Sequence, residues 1–287
     1  MRVLVTGARG QLGQELLSAL EARGHAAIGT DLPVDLGDPD AVRDLLNQAQ
    51  PEAVLHAAAY TAVDAAQAPK NREMAWRVNV EGTRHVAEAC RRSGAKLLYL
   101  STDYVFSGEG TAPWRVDCEA FAPVNFYGQT KLAGERIVRT LPRAFVVRIA
   151  WLFGPSGKNF VETMLRLSKT HEAVSVVCDQ IGTPTYAPDL APLLCEMIEG
   201  ERYGVYHATN EGGFLSWADF AAEIFRQAGR STRVIPVTSA QYASAAPRPK
   251  NSRLDKQSLT EAGFSPLPPW QDALARYLAH AHPTRAT

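Results

Sequence analysis

The first half of the chain alternates short apolar runs with longer segments whose apolar residues recur at helical spacing. The runs fit buried strands because they are short, continuous and bounded by turn residues. They cover residues 2–6, 26–30, 53–56, 96–100 and 144–149. The intervening segments predict helices, including one from Gln14 to Arg23 and a long one from about Asn71 to Arg92. This β–α alternation predicts the α/β class, a doubly wound, Rossmann-like parallel sheet.

The second half is less regular, with short strand and helix patterns separated by turn-rich segments. We predict a dinucleotide-binding domain at 1–150 and a smaller, partly interleaved C-terminal substrate-binding region at 151–287. The stretch 188–208 carries a helix and a strand that we expect to return to the main sheet. The last six residues, 282–287, are expected to be frayed.

Composition excludes several classes of protein. Among 287 residues, Lys plus Arg equals Asp plus Glu at 30 each, so no basic field predicts binding to nucleic acid or an anionic membrane. The chain has no apolar run of membrane-spanning length, and its N-terminus lacks a signal-peptide core. The four cysteines are widely spaced and form no C-x-x-C, which argues against a zinc site and favours a reducing compartment. We expect a cytoplasmic protein.

A glycine-rich loop follows the first strand. Gly7, Gly10 and Gly13 lie between that strand and the first helix, where bare backbone and free N–H groups can approach a pyrophosphate. An ordinary tight turn is the alternative, and the flanking strand and helix favour the nucleotide site. Asp31 ends the second strand and can accept hydrogen bonds from the adenosine ribose, whereas Arg9 can hold a 2′-phosphate. Both NADH and NADPH therefore remain open.

Two further stretches predict contacts with the same ligand. Asp35 and Leu36 follow the second strand and can lie against the adenine, although Asp35 fits a solvated loop carboxylate equally well. The third strand runs into Ala58, Ala59 and Tyr60, where small residues leave room for a flat ligand.

Three residues carry the candidate chemistry. Tyr127 and Lys131 are four apart, so they share one face of a helix. A nearby ammonium favours the phenolate, which predicts a lowered pKa for Tyr127 and a proton donor suited to neutral pH. Thr102 ends the fourth strand, at the sheet edge where open α/β folds bind ligands. The alternatives are a chance pair on a helix surface and a hydroxyl satisfying its own turn.

Taken together, several stretches resemble the extended short-chain dehydrogenase/reductase family, and the resemblance covers nearly the whole chain. They are residues 7–13, 57–64, 101–106, 127–135, 179–185 and 248–254. The resemblance implies reduction of the C4 ketone of a dTDP-linked 6-deoxyhexose by NADPH or NADH, with no metal required. Members are often dimers, so it also implies a homodimer.

The resemblance also implies roles for individual residues. Thr102 would hydrogen-bond the substrate carbonyl, Tyr127 would protonate it, and Lys131 would bind the nicotinamide ribose. The resemblance further implies cofactor contacts from Gly10, Gln11, Leu12, Asp31, Ala58, Ala59 and Tyr60. Together with the pattern of residues described above, the predicted cofactor-binding set also includes Gly7, Gly13, Asp35, Leu36, Tyr127 and Lys131.

The substrate side is predicted from four residues. Thr102 and Asp103 would meet the sugar, and the flat ring of Trp151 would press on it. We add the hypothesis that Arg248 clamps the diphosphate of the sugar nucleotide, with a solvated loop arginine as the alternative.

Three other functions share parts of this pattern. A sugar-nucleotide epimerase has the same glycine loop and tyrosine–lysine pair, but should retain tightly bound NAD. A dehydratase carries an Asp-Glu pair after the threonine, whereas here Asp103 is followed by Tyr104. A non-catalytic subunit resembling the regulatory subunit of methionine adenosyltransferase would not need the intact set Thr102, Tyr127 and Lys131.

Overall fold

The structure is a computed structural model that describes residues 1–31 and 34–281; the predicted fraying of 282–287 lies outside these residues. The first half follows the predicted alternation. Its strands and α-helices are β1 (Arg2–Thr6), α1 (Gln11–Ala22), β2 (Ala26–Thr30), α2 (Pro39–Ala49), β3 (Ala53–His56), α3 (Val63–Gln67), α4 (Pro69–Trp76), α5 (Thr83–Ser93), β4 (Lys96–Thr102), α6 (Phe126–Val138) and β5 (Ala144–Ile149).

The second half consists of shorter strands and helices. They are β6 (Leu152–Phe153), α7 (Phe160–Leu167), β7 (Ala173–Val177), β8 (Ile181–Gly182), β9 (Thr185–Tyr186), α8 (Ala187–Glu199), β10 (Gly204–His207), β11 (Asn210–Glu211), β12 (Leu215–Ser216), α9 (Trp217–Gln227), β13 (Arg233–Val237), α10 (Gln257–Glu261), β14 (Leu267–Pro269) and α11 (Trp270–Ala281). Within the described residues, no helix combines the length and apolar character needed to cross a bilayer.

Six strands form the central sheet in the order β2-β1-β3-β4-β5-β10, and every neighbouring pair is parallel. The predicted α/β class with a parallel, Rossmann-like sheet is confirmed. The strand order reverses between β1 and β3, and such a reversal opens a crevice at the carboxyl ends of the two strands. β10 lies beside β5 although it follows the smaller elements of the second half. The division at residue 150 stays a prediction.

Helices cover both faces of the sheet. On one face α1 and α8 pack together over a core that includes Leu16, Leu20 and Leu194. On the other face α2 packs against α5, and α5 against α6. The second half has its own core, in which Phe153 and Phe220 pack together. These layers leave the carboxyl edge of the sheet as the open side.

The long helix predicted from Asn71 to Arg92 is wrong as a single α-helix. A π-helical stretch, Arg77–Gly82, separates α4 from α5. Such bulges often occur at functional sites, and this one contains the buried Asn79. The Asn79 amide accepts a hydrogen bond from the Tyr60 backbone N–H at 2.7 Å and donates to Thr130 Oγ1 at 2.9 Å. These contacts are tertiary, so hydrophobic periodicity could not predict the bulge.

A buried ion pair joins α6 to the sheet. Arg148 on β5 and Glu135 on α6 have no exposed side-chain surface. Arg148 Nε donates to Glu135 Oε2 at 3.1 Å, and the Ser101 hydroxyl donates to the same oxygen at 2.8 Å. Arg148 Nη1 lies 3.2 Å from His207 Nε2 on β10. The pair thus holds three strands and the helix in one arrangement.

We expect Arg148→Met to lower the free energy of unfolding by about 3–5 kcal/mol, because it leaves the Glu135 carboxylate buried without its partner. The matched control is Arg43→Met, which removes a half-exposed arginine paired with Asp40 and should cost less than about 1 kcal/mol. Urea unfolding followed by tryptophan fluorescence measures both. Equal losses in the two variants would contradict the expectation, whereas Arg148→Met combined with Glu135→Leu should recover much of the loss.

Candidate active site

A cleft of about 960 Å³ lies at the carboxyl edge of the sheet. It brings together nearly all of the predicted site residues, which come from separate parts of the chain. Those in its lining are Gly7, Gly10, Gln11, Leu12, Gly13, Asp31, Asp35, Leu36, Ala58, Ala59, Tyr60, Thr102, Asp103, Tyr127, Lys131 and Trp151.

The glycine loop is shaped for close approach by a ligand. Gly7 has a φ of +69°, which side chains rarely adopt, and a Cβ on Gly13 would lie 2.1 Å from the Gly7 carbonyl oxygen. Gly10 precedes α1, and no side chain caps this helix. The first N–H groups of α1 therefore have no intrahelical acceptor, and they lie at the positive end of the helix dipole. The loop fits a pyrophosphate group.

Two carboxylates, Asp31 and Asp35, also line the cleft. Asp31 Oδ2 accepts a hydrogen bond from the Arg9 backbone N–H at 2.9 Å, which fixes the carboxylate beside the glycine loop. Asp35 forms an ion pair with Arg77 and accepts a hydrogen bond from the Gly37 N–H. The hydrogen bond from Arg77 holds the pKa of Asp35 below its usual range. Asp35 is thus a paired carboxylate at the rim of the cleft.

The three candidate catalytic residues converge from β4 and α6. Thr102 ends β4, and the Asn125 side chain caps α6 by accepting from the Gly128 N–H at 2.8 Å. The Lys131 ammonium lies 4.0 Å from the centre of the buried Tyr99 ring. Tyr127 lies close enough to the Thr102 hydroxyl for that group to lower its pKa. The arrangement places two hydroxyl groups side by side in the cleft.

The predicted lowering of the Tyr127 pKa is wrong for this structure. Burial raises the pKa of Tyr127, the charge of Asp103 adds to the rise, and the Thr102 hydrogen bond only partly opposes it. Burial also lowers the pKa of Lys131 to about 7, against the opposing effect of Glu135. Desolvation is the largest cause of both shifts, and no effect of Lys131 lowers the pKa of Tyr127. The phenol keeps its proton at neutral pH.

Asp103 is a buried carboxyl group next to the hydroxyl pair. It is 1% exposed, and its Oδ1 accepts a hydrogen bond from Thr102 Oγ1 at 3.0 Å. Its Oδ2 has no hydrogen-bond partner among the described residues. Burial raises the pKa of Asp103 to about 6. Hydrogen bonding from Ser252 and Thr102 partly opposes this rise, so the carboxyl group is enclosed by side chains of the protein itself.

Two stacked indole rings form another wall. Trp151 has a φ of +52°, which is unusual for a residue with a side chain, and its ring stacks on Trp217 with 3.8 Å between centroids. We did not predict Trp217 as a site residue, because the helical pattern after Ser216 placed it on a core face. Its position directly after the capping serine is the only local signal. Other lining residues missed from the sequence include Met74, Arg77, Tyr104 and Lys158.

Arg248 is not among the residues that line the cleft. Its Nη1 and Nη2 donate to the Asp64 carboxylate at 3.0 and 2.7 Å, and Nη1 also donates to the Ala246 carbonyl. This half-buried ion pair differs from the solvated loop arginine considered above, and the diphosphate clamp stays a prediction. To clamp a diphosphate, Arg248 would have to exchange Asp64 for the phosphate.

Comparisons with known proteins identify the family. The family model described as RmlD substrate binding domain matches residues 1–282. A dTDP-4-dehydrorhamnose reductase of Streptomyces griseus is 46% identical, with 95% of this chain and 91% of that protein covered. The spore coat polysaccharide biosynthesis protein SpsK of Bacillus subtilis is 39% identical, with 96% of each covered.

The fold of solved relatives is also similar. The crystal structure of dTDP-4-dehydrorhamnose reductase from Bacillus anthracis in complex with NADP has a TM-score of 0.93 and 40% identity, and covers 97% of this chain and 99% of that one. The resemblance stated from the sequence is confirmed, and within that family the chain is similar to dTDP-4-dehydrorhamnose reductase. The chain belongs to the RmlD substrate binding domain family.

Proposed function

We propose that the protein reduces the C4 ketone of dTDP-4-dehydro-6-deoxy-L-mannose (dTDP-4-dehydrorhamnose) to dTDP-L-rhamnose, using NADPH or NADH. The observation that carries the proposal is the convergence of Thr102, Tyr127 and Lys131 in the same cleft as an uncapped, glycine-lined helix start. Relatives named as this reductase, one of them crystallised with NADP, support it.

The cofactor would lie across the switch point of the sheet. Gly10, Gln11 and Leu12 would hold its pyrophosphate, and Asp31 its adenosine ribose, while Lys131 would bind the nicotinamide ribose. When bound, the nicotinamide supplies the hydride for the carbonyl carbon. The chain itself contributes orientation and charge stabilisation.

Negative charge develops on the substrate oxygen during reduction. The hydroxyls of Thr102 and Tyr127 would donate hydrogen bonds to that oxygen. Thr102 would first have to exchange its present acceptor, Asp103 Oδ1, for the substrate. Because Tyr127 is protonated at neutral pH, it can give up its proton as the charge forms, as a general acid must. Lys131 would then stabilise the resulting phenolate. Tyr127 thus holds the proton that reduction consumes.

The substrate side of the cleft would recognise the sugar. Asp103 would meet the sugar from the cleft lining, and Trp151 would press on the ring, supported from behind by Trp217. The homodimer and the cytoplasmic location stay predictions. An epimerase and a non-catalytic subunit are the remaining alternatives.

A direct assay tests the proposal. The purified protein is mixed with dTDP-4-dehydrorhamnose and NADPH or NADH, nicotinamide absorbance is followed, and the product is identified by chromatography. Substrate-dependent loss of the reduced nicotinamide with formation of dTDP-L-rhamnose is expected. Tightly bound NAD in the purified protein, with no net oxidation, would instead indicate an epimerase, and no turnover at all would favour a binding role.

Tyr127→Phe should lower kcat by about 10²–10⁴, because it removes the proton donor and keeps the ring. NADPH binding should persist, since the glycine loop and Lys131 remain. The measurement is single-turnover hydride transfer at saturating keto-sugar, with NADPH affinity from fluorescence titration as the control. A rate within about threefold of the wild type would exclude Tyr127 as the acid.

Lys131→Met should stabilise the protein while damaging its activity. The pKa of Lys131 is lowered from 10.5 to about 7, so the folded chain holds this charge at a cost that the unfolded chain does not have. We expect a gain of about 1–4 kcal/mol in the free energy of unfolding below pH 7. The gain should shrink between pH 7 and 10.5, where the folded wild type has lost the proton and the unfolded chain keeps it.

Urea unfolding of both proteins at several pH values measures this difference, and a constant difference across the range would contradict the assigned cause. NADPH binding in the same variant is expected to be weaker. Because the variant should be more stable, this loss of binding could not be attributed to unfolding. If the variant is both more stable and fully active, Lys131 has no role in cofactor binding or catalysis.

Trp151→Ala should raise KM for the keto-sugar and leave NADPH affinity nearly unchanged, because the indole lines the substrate side of the cleft. The matched control is Trp76→Ala, which removes an exposed tryptophan outside the lining. Initial-rate kinetics and NADPH titration measure both effects. If NADPH affinity falls as far as substrate affinity, Trp151 is a packing residue.

A further inference from the structure

We propose that Lys158 binds the diphosphate of the nicotinamide cofactor, closing the glycine loop from the opposite side. The inference rests on the proposed function and deepens it. Lys158 belongs to the loop between β6 and α7, far along the chain from the glycine loop, yet it lines the same cleft. No sequence motif marks it.

The loop that carries Lys158 is attached to the start of α1. The Asn159 amide donates to Gln11 Oε1 at 3.3 Å, and the Ser156 hydroxyl donates to Gln14 Oε1 at 3.0 Å. A Cβ on Gly157 would lie 3.7 Å from the Gln11 Cβ. The residues on both sides of Lys158 therefore contact the helix whose N-terminus would hold the pyrophosphate.

The charges in this part of the cleft are suited to an anion. No hydrogen bond or ion pair joins the exposed Lys158 ammonium to another side chain in residues 1–31 and 34–281. α1 has no acidic residue in its first turn, so no carboxylate on the helix competes for the same position. A diphosphate placed at the helix start would thus meet the helix dipole on one side and a lysine on the other.

Two of the other cations in the described lining are held elsewhere: Arg77 is paired with Asp35, and Lys131 is buried over the Tyr99 ring. Arg9 lies in the glycine loop beside Asp31, the residue that would bind the adenosine ribose. A diphosphate also occurs in the sugar nucleotide, so the recognised chemistry is shared by two ligands. Attachment of the loop to α1 favours the cofactor.

The test compares Lys158→Gln with Lys169→Gln, which removes an exposed lysine outside the cleft lining. NADPH and NADH are titrated in the absence of sugar nucleotide, followed by nicotinamide fluorescence. We expect Kd to rise about 3–10-fold for both cofactors in Lys158→Gln only, since they share the diphosphate. Lys158→Arg should restore most of the affinity, and the wild type should lose more affinity with added salt than Lys158→Gln does.

Competition experiments identify the group that is bound. ADP should bind Lys158→Gln more weakly than the wild type, whereas adenosine, which lacks the diphosphate, should bind both equally. If Lys158→Gln binds dTDP more weakly than the wild type but binds NADPH equally well, the proposal is overturned. Lys158 would then bind the diphosphate of the sugar nucleotide. NADPH affinity within about twofold of the wild type, with dTDP also unchanged, would overturn it outright. Because no turnover is required, normal cofactor binding without reduction of the keto-sugar would refute the proposed function alone.

Discussion

The buried ion pair between Arg148 and Glu135 fixes the geometry on which the site depends. A charge pair with no exposed surface has few alternative positions, because any lost hydrogen bond would leave a desolvated charge without a partner. Glu135 lies one helical turn after Lys131 and two after Tyr127 on α6. Ser101, which donates to Glu135, directly precedes Thr102 on β4. One polar network therefore sets the catalytic helix against the strand end that carries the third reactive group.

Burial also sets the protonation states of Tyr127, Lys131 and Asp103. A neighbouring opposite charge shifts a pKa by about 1–3 units, whereas full burial shifts it by as much as about 3–5. Tyr127, Lys131 and Asp103 each follow the desolvation effect, so the tyrosine and the aspartic acid hold protons more strongly and the lysine less strongly. A site of this kind stores the proton that reduction consumes. Attraction between tyrosine and lysine becomes important only as charge develops on the substrate.

The sequence predicted the features that depend on local pattern. The five strands of the first half and the glycine loop were found because apolar runs and glycines act over a few residues. Trp217 and Lys158 were missed, because their place in the cleft depends on which loops the fold brings together. The ion pair of Arg248 was missed for the same reason, since its partner Asp64 is distant in the chain; the diphosphate clamp stays a prediction. Burial could not be judged from spacing alone, so the direction of the Tyr127 pKa shift was wrong.

The small sheets of the second half form a slot around one indole ring. A Cβ on Gly182 would lie 2.9 Å from the Trp151 ring, so β8 needs glycine there to admit the indole. β8 pairs with β12, which leads directly into Trp217 on the other side of the stack. The two strands thus hold both walls of the slot, while Tyr127 and Lys131 are held by α6 and the main sheet. Separate elements therefore carry the two tryptophans and the pair of Tyr127 and Lys131. Changes around Trp151 can thus alter which sugar fits without disturbing the proton donor.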